Sequence, residues 1–171
     1  LNYLKGNKEL LIRKSVEKNK GNRPWHILFR SRNSDLFVTP KLLFRQTGDS
    51  IIASIDENVN YYPIDSVNIA ILKVEVIDDI YFILGIMNSK LITFLYREIS
   101  QEGGRVLAQV KPQRIRFLPI ALPQPFQKDA VEQLVDQIIC TKKSNPEADT
   151  SKLEHKIDLL VYELYGLSDN E

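Results

Sequence analysis

The sequence predicts an α+β domain: a small, twisted, mostly antiparallel sheet covered by buried helices and followed by a C-terminal helical hairpin. Short β-prone runs alternate with polar turns between residues 25 and 74. An almost uniformly apolar helical stretch follows at 80–96, and two amphipathic helical patterns occupy 131–164. At 171 residues and 43% hydrophobic, the chain is long enough for one domain with a proper core.

The N-terminal segment combines a helical pattern with a basic loop. Apolar residues among lysines predict a helix from Leu1 to about Val16, weakened by Gly6. Residues 17–23 form a basic loop before the strand-like run 25–30. Lys20 and Arg23 in this loop are candidates for contact with a phosphate backbone, although basic loops are often simply solvated.

Residues 40–56 contain the clearest hairpin pattern. Apolar runs at 42–44 and 51–53 flank a polar turn in which Gly48 can supply a positive φ. Two side chains at the tip, Arg45 and Gln46, are suited to the edges of guanine and adenine, and Lys41 before them is suited to phosphate. A solvated hairpin turn is the alternative interpretation.

Two further segments complete the sheet half of the chain. The polar loop 30–35 carries Arg30 and Arg32, which are candidates for base contact in a turn-forming segment. Residues 67–74 are apolar nearly throughout and predict a central strand.

The middle of the chain predicts a buried helical pair. Asp78 or Asp79 can cap a helix over residues 80–87, and Ser89 can cap a second helix that extends through Tyr96. Almost every face of this pair is apolar, so we expect it to form the buried centre of the domain.

A second polar loop follows at residues 97–116, where five lysines and arginines accompany two acidic residues. Gly103 and Gly104 allow close approach of the backbone to a ligand, but their spacing is not that of a phosphate-binding fingerprint. The candidates for base contact here are Arg105, Gln109 and Arg114, and the candidate for phosphate contact is Lys111.

The C-terminal region predicts a helical hairpin. Prolines make residues 118–125 an extended connector. One amphipathic helix then ends near Lys142, and a second, capped by Thr150 or Ser151, closes at Gly166.

Charge and cysteine content narrow the function classes. The formal net charge is only +1, but residues 1–50 carry +7 and residues 121–171 carry −5, which indicates one basic and one acidic face. The single Cys140 excludes an intramolecular disulfide, and two histidines provide no cluster at metal-ligand spacing. No apolar run approaches a membrane span, so we expect a soluble, cytoplasmic protein with no membrane partner. The start at Leu1 suggests a fragment of a longer chain.

Four stretches, in order, resemble the C-terminal specificity domain of Taq-type adenine-specific DNA methyltransferases and type IIG restriction-modification enzymes. They are residues 40–51 with Asp56 and Tyr61-Tyr62, residues 84–91, residues 118–123 with Gln127, and residues 154–167. Each stretch is individually weak, and their order is the stronger signal.

This resemblance implies a DNA target-recognition domain at residues 1–123, with the helical hairpin 124–171 packed on it. The partners would be double-stranded DNA and a catalytic domain of the same bacterial or archaeal parent, which binds S-adenosylmethionine and flips the target adenine. A parent with a fused endonuclease would also use Mg²⁺. The fragment itself is expected to bind no cofactor and no metal.

The sequence contains no catalytic motif. It has neither a glycine-containing methyl-donor loop nor an Asn/Asp-Pro-Pro-Tyr/Phe segment, and the pair Glu154 and Lys156 diverges on a predicted helix instead of forming a nuclease site. Three alternatives stay open: the DNA-reading half of a type I specificity subunit, a protein–protein docking module and, last, a nuclease. A type I subunit should continue into a long coiled-coil spacer, whereas the turn at Asn145-Pro146 favours the methyltransferase type.

Overall fold

The computed structural model of the protein describes residues 2–18 and 33–168. A boundary between two compact units falls after Leu36. In the first unit, helices α1 (Asn2–Gly6) and α2 (Lys8–Lys18) occupy the segment for which one weakened helix was predicted. The break at Asn7 directly follows Gly6, which fits the low helix propensity of glycine. Because α2 extends to Lys18, the predicted basic loop begins later than residue 17, and the predicted strand 25–30 lies outside the described residues.

In the second unit, a three-stranded antiparallel sheet has the order β2-β1-β3. The strands are β1 (Lys41–Arg45), β2 (Ala53–Asp56) and β3 (Val67–Ala70). The α+β class and the hairpin are confirmed, with Lys41 opposite Asp56 and Phe44 opposite Ala53. Strand β2 begins at Ala53 and not at Ile51, because the chain after Arg45 pairs with other segments.

The prediction of a central strand at residues 67–74 is wrong. Within residues 33–168, β3 is an edge strand of four half-buried residues, and β1 is the central strand. A short 3-10 helix then covers Val74–Asp79, and another precedes the sheet at Ser34–Phe37. Of the predicted run 67–74, only residues 67–70 form a strand; residues 71–73 have no regular structure, and Val74 begins the 3-10 helix.

The predicted pair of helices is confirmed as α3 (Ile80–Asn88) and α4 (Lys90–Ser100). Burial holds for most of α3, whereas α4 buries one face only and leaves Phe94 58% exposed. The Ser89 side chain accepts a hydrogen bond from the Ile92 N–H, as an N-cap residue does. Asp79 occupies the N-cap position of α3 without a side-chain capping bond. Its carboxylate instead lies 2.5 Å from Lys128 Nζ, which raises the pKa of that lysine by hydrogen bonding.

The junction Asn88-Ser89-Lys90 connects three parts of the fold. The Asn88 side chain accepts from the Ala53 N–H at 2.9 Å and donates to the Ala53 carbonyl at 3.1 Å, so it substitutes for a strand partner of β2. The Lys90 N–H donates to buried Asp158 at 2.8 Å. The structural roles of these three residues explain why they occur in the stretch 84–91, which resembles the family.

The C-terminal hairpin consists of α6 (Pro125–Ser144) and α7 (Ser151–Leu164), after the single turn α5 (Pro112–Ile115) and an extended connector. Gly85 of α3 permits close packing, since a Cβ there would lie 2.7 Å from a methyl of Val131. Buried residues of α6 and α7, including Val161, share one apolar core with the sheet and α3. The Tyr165 hydroxyl donates to the Pro119 carbonyl at 2.7 Å and ties the connector to the end of the hairpin.

Candidate nucleic-acid interface

The two loops that carry the predicted base-contacting residues lie side by side. The backbone of Thr47 forms an antiparallel bridge with Gln109. The Gly48 N–H donates to the Ala108 carbonyl at 2.9 Å, and the Val110 N–H donates to the Gln46 carbonyl at 2.7 Å. The hairpin tip and the second loop therefore form one surface, called here the two-loop surface and defined as residues 45–50 and 101–116.

The buried carboxylate of Glu102 organises the second loop. It accepts from Lys111 Nζ at 2.7 Å, from Arg105 Nη1 at 3.1 Å and from the Gln109 N–H at 3.4 Å. The hydrogen bond from Lys111 is the main cause that lowers the pKa of Glu102 below its usual value, so the group is a carboxylate at neutral pH. One buried anion thus positions two exposed cations and a backbone segment.

Two residues of helix α4, Tyr96 and Arg97, contact the two-loop surface and hold it in place. The hydroxyl of fully buried Tyr96 donates to the Gln109 carbonyl at 3.0 Å and accepts from the Lys111 N–H at 2.8 Å. Arg97 lies 3.3 Å from the Asp49 carboxylate in the hairpin tip. This ion pair offsets the negative charge of Asp49, which would otherwise repel a phosphate backbone.

Five predicted base-contacting residues have exposed or half-exposed positions on this surface. Arg45 is exposed at the end of β1, with its guanidinium over Gly48. Gln46 is half-buried and Gln109 is exposed, while the backbones of both take part in the pairing of the loops. Arg114 is exposed on α5. Arg105, the fifth, is exposed and anchored by Glu102.

Gly48 is the residue on which this geometry depends most. Its φ of +127° is a conformation that residues with side chains rarely adopt, and a Cβ there would lie 2.7 Å from Arg45 Nη2. The prediction of a positive φ at this turn is therefore confirmed.

The assignment of Lys41 to phosphate contact is corrected by its burial. Its side chain is 0% exposed, and Nζ lies 2.6 Å from Oδ2 of Asp56, which is 2% exposed. Burial opposes ionisation of Asp56, but hydrogen bonds from Lys41 and from the N–H groups of Asn60 and Tyr61 lower its pKa overall. Lys41 therefore neutralises a buried carboxylate and is not available to a phosphate.

The other predicted phosphate contact on the described residues, Lys111, is 46% exposed despite its bond to Glu102. Four predicted residues lie outside the described part of the chain, and their assignments stay predictions: Lys20, Arg23, Arg30 and Arg32.

Sequence reasoning missed the residues that hold the surface together, namely Tyr96, Arg97 and Glu102. Tyr96 was assigned only to packing, because its position in an apolar helix gives no sign of a hydrogen-bonding hydroxyl. Glu102 stands in a polar, glycine-containing loop, where an acidic residue is normally solvated. The dense cationic sequence after Glu102 was the one signal in the sequence for an anion at this place.

The described residues contain neither a membrane-spanning helix nor a cluster of metal-ligating side chains. No helix within residues 2–18 and 33–168 has the length and apolar character needed to cross a bilayer. In the same ranges, His, Cys, Asp and Glu side chains form no group of three that could hold a metal ion.

A helix-supported sheet that presents exposed arginines and amides on joined loops has the architecture of a recognition module. Comparison with protein families identifies the class: residues 2–120 match the model of the TaqI-like C-terminal specificity domain. The chain belongs to this family, and the resemblance of the sequence is confirmed. Membership makes it a DNA-binding target-recognition domain of the restriction-modification type. A comparison with curated proteins gave no match.

Proposed function

We propose that the chain reads a specific sequence in double-stranded DNA for an adenine-specific DNA methyltransferase, and that the two-loop surface makes the base contacts. The joining of the hairpin tip to the second loop carries this proposal. It brings Arg45, Gln46, Arg105 and Gln109 onto one surface, although they come from separate parts of the sequence.

The chemistry of these side chains fits base reading. An arginine can donate two hydrogen bonds to guanine, and a glutamine can both donate to and accept from adenine. Arg114 adds a third guanidinium, and Lys111 provides a cation for the backbone. The anchoring of Arg105 by Glu102 reduces the conformational entropy that the side chain loses on binding.

Catalysis would belong to a separate domain of the parent protein. This sequence contains no methyl-donor loop and no Asn/Asp-Pro-Pro-Tyr/Phe segment, so S-adenosylmethionine would bind elsewhere. The role of this chain would be to fix the register of the duplex while the target adenine is flipped into the catalytic pocket. Helix α6 ends at Ser144 and α7 turns back to contact it, which favours this parent over a type I subunit with a long spacer.

The test is selection from a pool of random-sequence duplexes by the purified chain over a range of salt concentrations. We expect binding that falls steeply with salt and enriches a short sequence. Salt-dependent binding without enrichment would contradict sequence reading.

A protein-docking function makes a different prediction for the same experiment. It predicts no retained duplex at low salt for the isolated chain, or for the chain mixed with the catalytic domain. Failure of both samples would overturn the proposed function.

A further inference from the structure

Two large apolar side chains stand at the tip of the second loop with almost no protein contact. Val106 is 99% exposed and Leu107 is 82% exposed. Adjacent apolar residues exposed to this degree on a binding surface indicate contact with a partner, because their exposure to water is unfavourable.

Their position in a tight turn is also unusual. The Ala108 N–H donates to the Arg105 carbonyl at 3.2 Å, so Val106 and Leu107 are the central residues of this turn. Turns favour Gly, Pro, Asn, Asp and Ser at such positions, and β-branched residues are poorly suited to them. Neither local conformation nor packing in the described structure explains the choice of these two residues, so a binding role is the expected explanation.

Both ends of the turn are held in place. Before it, Arg105 is bound to buried Glu102, and after it, the Ala108 carbonyl accepts from the Gly48 N–H. The apolar tip is therefore presented by an ordered base and does not need to fold upon contact. It also lies between cationic side chains, with Arg105 directly before it and Lys111 shortly after it.

We propose that Val106 and Leu107 form an apolar wedge that enters the duplex at a base step and partly unstacks it. The inference rests on the proposed DNA-reading function and adds a distortion of the duplex to it. The surrounding cations select the phosphate backbone as the neighbour of the tip, and the faces of unstacked bases are the large apolar surfaces that DNA offers. Insertion of aliphatic side chains at base steps lets a protein exchange stacking energy for a kinked duplex.

The experiment compares the wild-type chain with Val106→Ser/Leu107→Ser on a duplex that carries the sequence enriched from the random pool. A matched control, Val74→Ser/Leu122→Ser, removes two side chains that are 86% and 93% exposed outside the two-loop surface. All four side chains are exposed, so we expect each variant to fold. Permanganate oxidation of thymines reports unstacking, and a titration reports affinity.

We expect new permanganate-reactive thymines with the wild-type chain and the control, but not with the wedge variant. The wedge variant should also lose affinity by roughly tenfold, because the contacts that compensate for unstacking are lost. A conservative variant, Val106→Ile/Leu107→Met, should keep the wild-type thymine reactivity and affinity.

Three results would overturn the inference. Equal thymine reactivity with wild type and wedge variant would exclude unstacking by these residues. Loss of preference at one A·T position without any reactive thymine would indicate contact with a thymine methyl group and not insertion. Failure of the wild-type chain to bind DNA, alone and with its catalytic domain, would overturn the proposed function as well, and this distinguishes the two failures.

Discussion

The two ends of strand β1 use the same chemistry for opposite purposes. At one end, Lys41 and Asp56 form an ion pair that is 0% and 2% exposed. Beyond the other end, the Lys111–Glu102 pair has a buried carboxylate but a lysine that is 46% exposed. The difference shows that a Lys–carboxylate pair serves the fold when both partners are buried, and can serve a ligand when the anion alone is buried.

Burial of the cation decides which role is open to it. Taking a charge out of water is costly, so a fully buried lysine is retained only if a partner compensates it, and its burial keeps it out of reach of a ligand. A half-exposed lysine keeps part of its hydration and can exchange water for a phosphate oxygen. The comparison can therefore be tested by disrupting each of the two ion pairs separately.

The largest effect is expected from Lys41→Met. Removal of one partner leaves the Asp56 carboxylate buried without its cation, which should lower the free energy of unfolding by about 3 to 5 kcal/mol. Urea unfolding measures this. The double variant Lys41→Met/Asp56→Asn removes both charges but keeps an acceptor for the Asn60 N–H, and it should recover much of the loss.

Lys90→Met is the matched control for that prediction. Lys90 also pairs with a buried aspartate, Asp158, but is itself 72% exposed. We expect a loss below about 1 kcal/mol, as for surface ion pairs. An equal loss from the Lys41 and Lys90 variants would contradict the structural role given to burial.

Glu102→Gln disrupts the second ion pair, beyond the other end of β1. The neutral side chain keeps its shape but releases Lys111 and Arg105 from their anion, so the surface becomes more positive and less ordered. Affinity for random DNA should be maintained or increased, while preference for the enriched sequence falls by roughly tenfold. Parallel titrations with both duplexes measure the ratio, and an unchanged ratio would show that Glu102 does not position base-reading groups.

Lys111→Ala should have a smaller and sequence-independent effect, because Arg105 and the Gln109 N–H still donate to the Glu102 carboxylate and keep the loop in place. Loss of one phosphate contact weakens binding to all duplexes alike and reduces the slope of log affinity against log salt by about 1. Titrations at several salt concentrations measure the slope. Lys143→Ala, an exposed lysine in the last turn of α6, is the control and should leave the slope unchanged.

The last prediction concerns acid stability. Asp56 has a pKa below its ordinary value of 3.8, so its charged interactions stabilise the fold above that pH and are lost as pH falls through the lowered pKa. The unfolding free energies of the wild type and Asp56→Asn should differ at neutral pH and converge as the pH falls below 3.8 and through the lowered pKa of Asp56. A difference that persists in acid would contradict the lowered pKa.

Local patterns predicted most of the described fold, because local chemistry determines those elements. The cap at Ser89, the turn glycine at residue 48 and the amphipathic periods of α6 and α7 each act within a few residues. The central position of β1 and the edge position of β3 depend on pairing between distant segments, which single-sequence patterns do not reveal.

The same distinction explains the candidate site. Composition identified the exposed residues Arg45, Arg105 and Gln109, because cationic and amide side chains in loops are visible in the sequence. It could not distinguish Lys41, whose burial follows from the register that sets it opposite Asp56. Nor could it show that Gln109 lies beside Thr47, since that bridge joins segments far apart in the chain.

The most direct test of the central claim compares selection from random duplexes by the wild-type chain, by Arg45→Ala/Arg105→Ala and by Lys143→Ala/Lys152→Ala. Both variants remove two exposed cations, but only the first removes them from the two-loop surface. If this surface reads DNA, the first variant loses preference at specific positions, at about 1 to 3 kcal/mol for each base-reading arginine, and the second keeps the wild-type motif. An unchanged motif and affinity in Arg45→Ala/Arg105→Ala would contradict the claim.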